Sequence, residues 1–287
     1  MQVVRDVASL RAAVSAARAH GQRVGFVPTM GALHAGHLSL IERARAECEC
    51  VVLSIFVNPL QFAPTEDLAK YPRTEEADLA AAAPRGATLA FVPPVDVMYP
   101  GTRAISVVPD SIADRWEGAI RPGHFAGVLT VVSKLFNLVQ PDLAVFGQKD
   151  LQQATLIRAL VRDLDFPITL DIAPIVREAD GLAMSSRNRY LDGDQRRAAG
   201  VLSQALATIA GAHAAGITDA AALVSRGDAR LRTEDGVRAD YLSIVDPRRL
   251  EPVSTASVGD FVIVAARVGQ TRLLDNHRLG DPLPLSS

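Results

Sequence analysis

Hydrophobic residues in the first two thirds of the chain follow two alternating spacings. Short runs rich in β-branched residues are separated by longer segments with apolar residues at helical spacing, and these predict strands and helices respectively. The predicted strands cover residues 23–28, 51–57, 88–92, 143–146 and 168–172, and the predicted helices cover residues 37–47, 74–83, 127–139 and 151–162. Strands that alternate with helices in this way predict a parallel sheet with helices on both faces. Such a sheet binds ligands at the carboxyl ends of its strands, where the strand order reverses.

The pattern changes near residue 178. Two alanine-rich helices are predicted over residues 194–214 and 219–231, the first with an apolar stripe at Val201, Leu202, Leu206 and Ile209. Three β-like runs close the chain at residues 237–245, 261–268 and 271–276, and a tight turn is predicted to join the last two. The sequence therefore predicts an α/β protein with two domains. We expect residues 1–177 to form a Rossmann-like domain, and residues 178–287 to form a smaller C-terminal α+β domain.

Composition narrows the class of protein. The chain has 287 residues, 48% of them hydrophobic, and a formal net charge of -2, which argues against a general binder of polyanions such as nucleic acids, because that function needs a basic surface. No run of roughly 18 apolar residues is present, and residues 1–6 lack a secretory signal pattern, so we expect a cytoplasmic protein without a membrane partner. Cys48 and Cys50 are too few for a zinc site and too close for an easy disulfide, so we expect two inert thiols.

The segment at residues 28–37 carries the clearest chemistry. It follows a predicted strand and opens a helix, so backbone N–H groups and the positive helix end are expected to converge on an anion there. His34 and His37, three positions apart, can both face the phosphates of a nucleotide. Gly36 removes a side chain where a base or ribose would lie. The alternative is a helix cap with two surface histidines, which the preceding strand and residues 29–31 disfavour.

This H-x-G-H pattern resembles the signature of the nucleotidylyltransferase superfamily, whose enzymes attack the α-phosphate of ATP and release pyrophosphate. Further segments make the chain similar to the pantothenate synthetase family. They lie at residues 54–62, 71–74, 121–128, 146–153 and 184–188, in order within residues 20–195. The resemblance implies ATP-dependent condensation of pantoate with β-alanine through a pantoyl adenylate, with release of AMP and pyrophosphate. This reaction is a step of pantothenate and coenzyme A biosynthesis.

The resemblance also implies roles for individual residues. His37 is the residue usually credited with catalysis, and His34, Lys149 and Arg187 would neutralise phosphate charge beside it. Val176 would contact the adenine through its backbone. The implied ATP-binding residues are Met30, Gly31, Ala32, Leu33, His34, Ala35, Gly36, His37, Gly147, Gln148, Lys149, Asp150, Val176, Met184, Ser185, Ser186 and Arg187.

Gln61 and Gln153 are implied to bind pantoate, and Gln61 would also lie beside β-alanine. Mg²⁺ would enter with ATP, no organic prosthetic group is expected, and the sequence predicts no dedicated metal ligands. The resemblance further implies that the domain of residues 1–177 binds ATP and pantoate, that the C-terminal domain closes over the active site and that the protein is a homodimer. Arg121 and His124 belong to a recognisable segment but receive no chemical step.

Each implied role has a structural alternative. A glutamine at a strand end, such as Gln61, is often a loop anchor, although its amide suits a ligand with hydroxyl and carboxylate groups. Lys149 would usually be solvated if it stood alone. Ser185 to Arg187 offer two hydroxyls and a forked cation to pyrophosphate, or else form a polar turn. Asp150 is either a ribose ligand or the N-cap of the following helix.

Two other functions stay open on the sequence alone. One is another adenylylating enzyme of the same superfamily, which would make a dinucleotide and need no amine; Gln61 and the segment at residues 121–128 disfavour it. The other is a non-catalytic nucleotide-binding regulator. The presence of His34, His37 and Lys149 together with the 185–187 segment disfavours that function.

Overall fold

A computed structural model describes residues 1–63 and 68–282 of the chain. The chain divides into two compact units. The first contains Met1–Gly147 and Gln152–Ala173, and the second contains Gln148–Leu151 and the chain from Pro174 onward. The short segment Gln148–Leu151 therefore packs with the second unit, although the chain on both sides of it belongs to the first.

The first unit is built on a six-stranded sheet with parallel pairing between neighbours. Its strands are β1 Gln2–Val4, β2 Val24–Thr29, β3 Cys50–Ile55, β4 Leu89–Phe91, β5 Leu143–Gly147 and β6 Thr169–Ala173, in the order β1-β4-β3-β2-β5-β6. Because β3 and β5 lie on opposite sides of β2, the strand order reverses between β2 and β5. The predicted parallel sheet is confirmed, and this reversal is where such sheets bind ligands.

Helices cover both faces of this sheet. They are α1 Val7–Ala19, α2 Ala35–Glu47, α3 Glu75–Ala82, α4 Val95–Met98, α5 Glu117–Ile120, α6 His124–Val139 and α7 Leu151–Asp163. Successive strand residues face opposite sides, so Phe26 packs edge-on against Phe136 of α6, with ring centroids 6.4 Å apart. Its neighbour Val27 belongs to a second buried cluster with Ile41 of α2. Apolar side chains on both faces explain why the strands are nearly continuous hydrophobic runs.

The hydrophobic pattern did not predict β1 or α1. β1 has three residues, and α1 buries only Leu10 and Val14, so neither carries a strong periodic signal. The helix start is fixed instead by an N-cap, because the carboxylate of Asp6 accepts a hydrogen bond from the backbone N–H of Ser9 at 2.8 Å.

The second unit combines three helices with an antiparallel sheet. These elements are α8 Gly193–Ala199, α9 Val201–Ala214, α10 Ala220–Leu231, β7 Val237–Val245, β8 Phe261–Val268 and β9 Thr271–Arg278, with the strand order β7-β8-β9. The predicted hairpin is confirmed, since Val268 pairs with Thr271 and Gly269 adopts a positive φ of 58° in the turn. The apolar stripe of α9 is buried with the inner side chains of β8. The predicted α/β fold with a small C-terminal α+β unit is thus confirmed.

One predicted helix is wrong in its extent. Residues 194–214 form two helices that meet at Gly200, which ends α8 and begins α9. The N–H of Gly200 donates to the carbonyl of Arg197 at 3.3 Å, three residues back rather than four. Glycine has a low helix propensity, so one helix can end and the next begin at Gly200 without disturbing the stripe that follows.

Candidate active site

The predicted residues of the first unit lie on turns at one edge of the parallel sheet. β2 leads into the segment at residues 30–37, β3 leads to Gln61, and β5 ends at Gly147. Because these strands are neighbours and parallel, their carboxyl ends meet at the same edge, beside the reversal of strand order. The sheet therefore brings the segment at residues 30–37 and the segment that contains Gln61 to the same edge.

A buried carboxylate holds the turn between β2 and α2. Gly31 and Ala32 adopt positive φ values of 84° and 52°, a region that residues other than glycine rarely occupy. Asp78 on α3 is only 3% exposed, and its carboxylate accepts hydrogen bonds from the N–H groups of Ala32 at 2.9 Å and Leu33 at 2.7 Å. The hydroxyl of Thr74 donates to the same carboxylate at 3.1 Å. These contacts stabilise a backbone conformation that would otherwise be unfavourable.

The same contacts limit what the turn can offer a ligand. The N–H of Gly31 donates to the Thr29 hydroxyl at 3.2 Å, and Asp78 takes the next two N–H groups. The first turn of α2, where helix geometry leaves N–H groups without intrahelical partners, is the part of the segment that suits an anion. Sequence reasoning missed Asp78 because it reads as one of several acidic residues in the first turn of a helix.

His34 and His37 face each other at the start of α2. Their ring centroids lie 4.1 Å apart, and His34 occupies the N-cap position with extended backbone. The backbone N–H of His34 donates to Nδ1 of His37 at 3.4 Å, so the neutral His37 ring carries its proton on Nε2. No acidic side chain lies in the first turn of α2, so the positive end of the helix dipole favours a ligand anion. This arrangement can donate hydrogen bonds to phosphate oxygens.

The side chain of Gln61 is oriented by a chain of hydrogen bonds. The Tyr99 hydroxyl donates to Oδ1 of Asn58 at 2.8 Å, and Nδ2 of Asn58 donates to Oε1 of Gln61 at 3.0 Å. Burial raises the pKa of Tyr99 to about 12, so this hydroxyl remains a donor at neutral pH. The remaining end of the amide, Nε2 of Gln61, lies 3.2 Å from the sulfur of Met30. Gln61 therefore directs its donor group toward the turn that follows β2.

The backbone of Gln61 is fixed by residues to which the sequence assigned no role. Nδ1 of His124 donates to the Gln61 carbonyl at 2.8 Å, and Arg121 donates to the same oxygen at 3.3 Å. Arg121 also lies 3.0 Å from Nε2 of His124, which accepts in that tautomer. A Cβ atom on Gly127 would lie 2.2 Å from the carbonyl oxygen of Leu60, so only glycine permits this approach of α6.

Gln153 lies half-buried in the first turn of α7. The preceding residue, Gln152, has a structural role, because its side chain bonds backbone groups. Nε2 of Gln152 donates to the carbonyls of Ile112 at 2.8 Å and Arg115 at 2.9 Å, and its Oε1 accepts from the N–H of Glu117 at 3.0 Å. Gln152 thus anchors the chain that precedes α5.

The second unit carries the other predicted residues on two irregular segments. Gln148–Asp150 form a single 3₁₀ turn, in which Nζ of Lys149 lies 3.4 Å from the Asp150 carboxylate. Residues 176–184 form a narrow loop closed by a hydrogen bond from the N–H of Met184 to the carbonyl of Val176 at 3.0 Å. Ser185 then caps the 3₁₀ turn Ser186–Tyr190, and its Oγ accepts from the N–H of Arg187 at 3.2 Å.

A buried ion pair fixes the base of that loop. The guanidinium of Arg177 donates to both carboxylate oxygens of Asp275, at 2.6 Å and 2.9 Å, and the two side chains are 6% and 1% exposed. Burial raises the pKa of the Asp275 carboxyl, and the bidentate guanidinium opposes that shift. Arg177 also donates to the carbonyl of Gly181 at 2.9 Å, so one side chain ties both arms of the loop to β9.

Other chemistry is limited in the part of the chain that the structure describes. No three histidine, cysteine, aspartate or glutamate side chains converge there as a metal site. Cys48 and Cys50 are free and buried, and burial raises the pKa of both. None of the helices in residues 1–63 and 68–282 has the length and apolar character needed to cross a membrane.

The candidate residues therefore form two sets, one in each unit. In the first unit, Gln61 contacts Met30, His34 faces His37, and Gln153 lies on α7. The second unit contains Lys149, Val176 and the 184–187 segment. Lys149 lies in the Gln148–Asp150 turn, and Val176 and Met184 lie at the two ends of the 176–184 loop.

Comparison with known proteins gives consistent results along the chain. Residues 2–278 match the family described as pantoate-beta-alanine ligase. The pantothenate synthetase of Acidobacterium capsulatum is 54% identical over 258 residues, which cover 90% of this chain and 86% of that protein. The pantothenate synthetase of Koribacter versatilis is 51% identical over 276 residues, which cover 96% of this chain and 95% of that protein.

Solved structures are similar over the whole fold. The pantothenate synthetase of Thermus thermophilus has 48% sequence identity and a TM-score of 0.93, covering 97% of this chain and 99% of that one. The pantoate-beta-alanine ligase of Francisella tularensis, crystallised with beta-gamma ATP and beta-alanine, has 30% identity and a TM-score of 0.81. That match covers 99% of this chain and 100% of the Francisella chain.

Proposed function

The chain belongs to the pantoate–β-alanine ligase family, and we propose that it condenses pantoate with β-alanine, using ATP and releasing AMP and pyrophosphate. The observation that carries this proposal is the family match over residues 2–278, in a chain with His34 and His37 paired at the start of α2. A helix start favours the negative charge of a nucleotide, and the two rings add directed donors.

In the first step, a carboxylate oxygen of pantoate attacks the α-phosphorus of ATP. A bond forms between that oxygen and phosphorus, and the bond from the α-phosphorus to the oxygen that bridges it to the β-phosphate breaks. Pyrophosphate leaves, and a pantoyl adenylate is formed. The carboxylate is already ionised at neutral pH, so this step needs no general base. Gln61 and Gln153 orient pantoate by hydrogen bonds, while His34 and His37 stabilise charge on the phosphate oxygens.

In the second step, the amine of β-alanine attacks the acyl carbon of the adenylate. A C–N bond forms, the C–O bond to AMP breaks, and the proton lost by the amine is released to water. The donor end of Gln61 is proposed to lie beside β-alanine, in keeping with its fixed orientation toward Met30. The adenylate is a reactive mixed anhydride, so water must be kept from it until the amine arrives.

The second unit is proposed to supply the remaining contacts to ATP. Lys149 and Arg187 bring positive charge to the phosphates, Ser185 and Ser186 bring hydroxyls, and Val176 meets the adenine through its backbone. We propose that Mg²⁺ enters as part of the MgATP substrate, because Mg²⁺ is commonly held by substrate phosphates and retained water. Catalysis then consists mainly of positioning and charge neutralisation.

The proposal is tested by following AMP formation from MgATP and pantoate, with and without β-alanine. We expect AMP and pantothenate to accumulate together only in the complete mixture. An adenylylating enzyme of another kind would not require the amine, and a regulator would bind ATP without consuming it. Absence of AMP from the complete mixture would contradict the proposal.

We propose an oligomeric state and a location for the protein. We propose a homodimer, on the basis of the family resemblance, and light scattering of the purified protein would check it.

We propose a cytoplasmic location, in keeping with the two free thiols. Fractionation of the cells that make the protein would check the location.

A further inference from the structure

The 3₁₀ turn Gln148–Asp150 is attached to β9 by one side chain. Nδ2 of Asn276 donates to the carbonyl oxygens of Gln148 and Lys149, both at 3.0 Å, and its Oδ1 accepts from Nε2 of Gln148 at 3.1 Å. An asparagine amide has two donor hydrogens, and here both are used on consecutive carbonyls. Asn276 is 2% exposed, so these bonds form where water does not replace them.

Asn276 is itself held rigidly. Its backbone N–H donates to the Asp275 carboxylate at 2.7 Å, and its carbonyl accepts from Arg177 at 3.2 Å. The Arg177–Asp275 ion pair therefore fixes the strand position from which the Asn276 amide extends. The same ion pair fixes the loop that carries Val176 and Met184, so a single buried network holds both segments of the second unit that are proposed to bind ATP.

Anchoring the turn matters most for Lys149. A lysine side chain has a flexible four-carbon stem, so the position of its ammonium depends on the direction in which the backbone projects it. Two hydrogen bonds to the carbonyls of Gln148 and Lys149 set that direction. A charge held in place before the ligand binds loses less conformational freedom on binding.

We propose that Asn276 is a positioning residue, which fixes the backbone of the Gln148–Asp150 turn so that Lys149 meets the phosphate groups of ATP. The proposal rests on the proposed function, because it assigns Lys149 to the phosphates. It adds a residue from the C-terminal sheet, 127 positions from Lys149, that acts through Lys149 and not on the substrate itself.

A double-mutant cycle distinguishes positioning from a purely structural role. Asn276→Ala is prepared in the native background and in a Lys149→Ala background, and each protein is tested for binding of a non-hydrolysable MgATP analogue by calorimetry. In the native background we expect affinity to fall about 10-fold or more, the scale of losing hydrogen bonds whose buried partners stay unpaired. In the Lys149→Ala background we expect less than about a twofold further loss, because the two residues act as a unit. If Asn276→Ala lowers affinity by the same factor in both backgrounds, the proposal is overturned.

Matched variants keep the outcome interpretable. Asn137→Ala removes an exposed amide whose Nδ2 donates to the Ser133 carbonyl at 2.9 Å in α6, and we expect it to change affinity in neither background. Where thermal unfolding shows that Asn276→Ala does not fold, Asn276→Ser, which keeps one donor, is taken through the same cycle. Binding is measured without turnover, so a protein that binds the analogue but forms no AMP would contradict the proposed function and leave this test intact.

Discussion

The two units hold their candidate binding residues by different means. In the first unit, contacts between residues three positions apart, His34 with His37 and Asn58 with Gln61, combine with long-range contacts such as that of Asp78 with Leu33. In the second unit, the irregular segments are fixed from far along the chain, since Arg177 pairs with Asp275 98 positions away. A local motif can therefore reveal the paired histidines of the first unit, whereas the long-range contacts of both units exist only after the chain has folded.

The largest effect is expected from breaking the buried ion pair of the second unit. Arg177→Met would leave the Asp275 carboxylate buried without its cation. We expect the free energy of unfolding to fall by about 3–5 kcal/mol, as for other broken buried pairs. Urea unfolding followed by circular dichroism measures this change.

The control for that variant removes both charges. The double variant Arg177→Met with Asp275→Leu should recover most of the lost stability, because no unpaired charge remains. A loss as large in the double variant as in Arg177→Met would show that packing, rather than charge, holds the loop.

The next largest effect is expected at the helix start of the first unit. His37→Ala should lower turnover by roughly 10²-fold, the scale of removing one transition-state donor, with little change in stability. Steady-state rates at saturating MgATP and pantoate measure it. His20→Ala, which removes an exposed histidine after α1, serves as the control. Unchanged turnover in His37→Ala would contradict the proposed catalytic role of His37.

A smaller and more selective effect is expected at Gln153. Gln153→Ala should weaken the binding of pantoate by about 1–3 kcal/mol and leave the binding of ATP nearly unchanged. The reason is that the amide is proposed to form a hydrogen bond only with pantoate. The Michaelis constants for the two substrates are compared with those of Gln22→Ala, which replaces an exposed glutamine shortly before β2. Equal weakening of both substrates would identify Gln153 as structural.

The smallest effect is expected from an exposed pair at the loop of the second unit. Hydrogen bonding from Arg196 lowers the pKa of Asp180 below its ordinary value of 3.8. The resulting stabilisation is fully present above that ordinary value and is lost as the pH falls through the lowered pKa. We expect Asp180→Asn to cost less than about 1 kcal/mol at neutral pH, because the pair is solvent-exposed.

The free energy of unfolding of the native protein and of Asp180→Asn, measured across a pH series, checks the direction of this pH dependence. The difference between their free energies of unfolding should shrink as the solution becomes more acidic than the ordinary pKa. A difference that grows on acidification would mean that Asp180 is stabilised in its protonated form.

Much of the fold and part of the site could be predicted from the sequence. Continuous apolar strands and amphipathic helices predicted the parallel sheet, and the H-x-G-H pattern identified the start of α2. Asp78 and Asn276 could not be found in this way, because their partners are backbone groups 45 or more positions away. The break at Gly200 was missed because the apolar stripe of α9 carries no signal that another helix ends just before it.

The central claim is that a pantoyl adenylate forms before the amine acts, and pyrophosphate exchange tests it most directly. The protein is incubated with MgATP, pantoate and labelled pyrophosphate, without β-alanine. The first step is reversible and involves no amine, so the account predicts that label enters ATP and that Arg187→Ala reduces this exchange. Absence of exchange, together with pyrophosphate release that depends strictly on β-alanine in a single turnover, would contradict the adenylate intermediate.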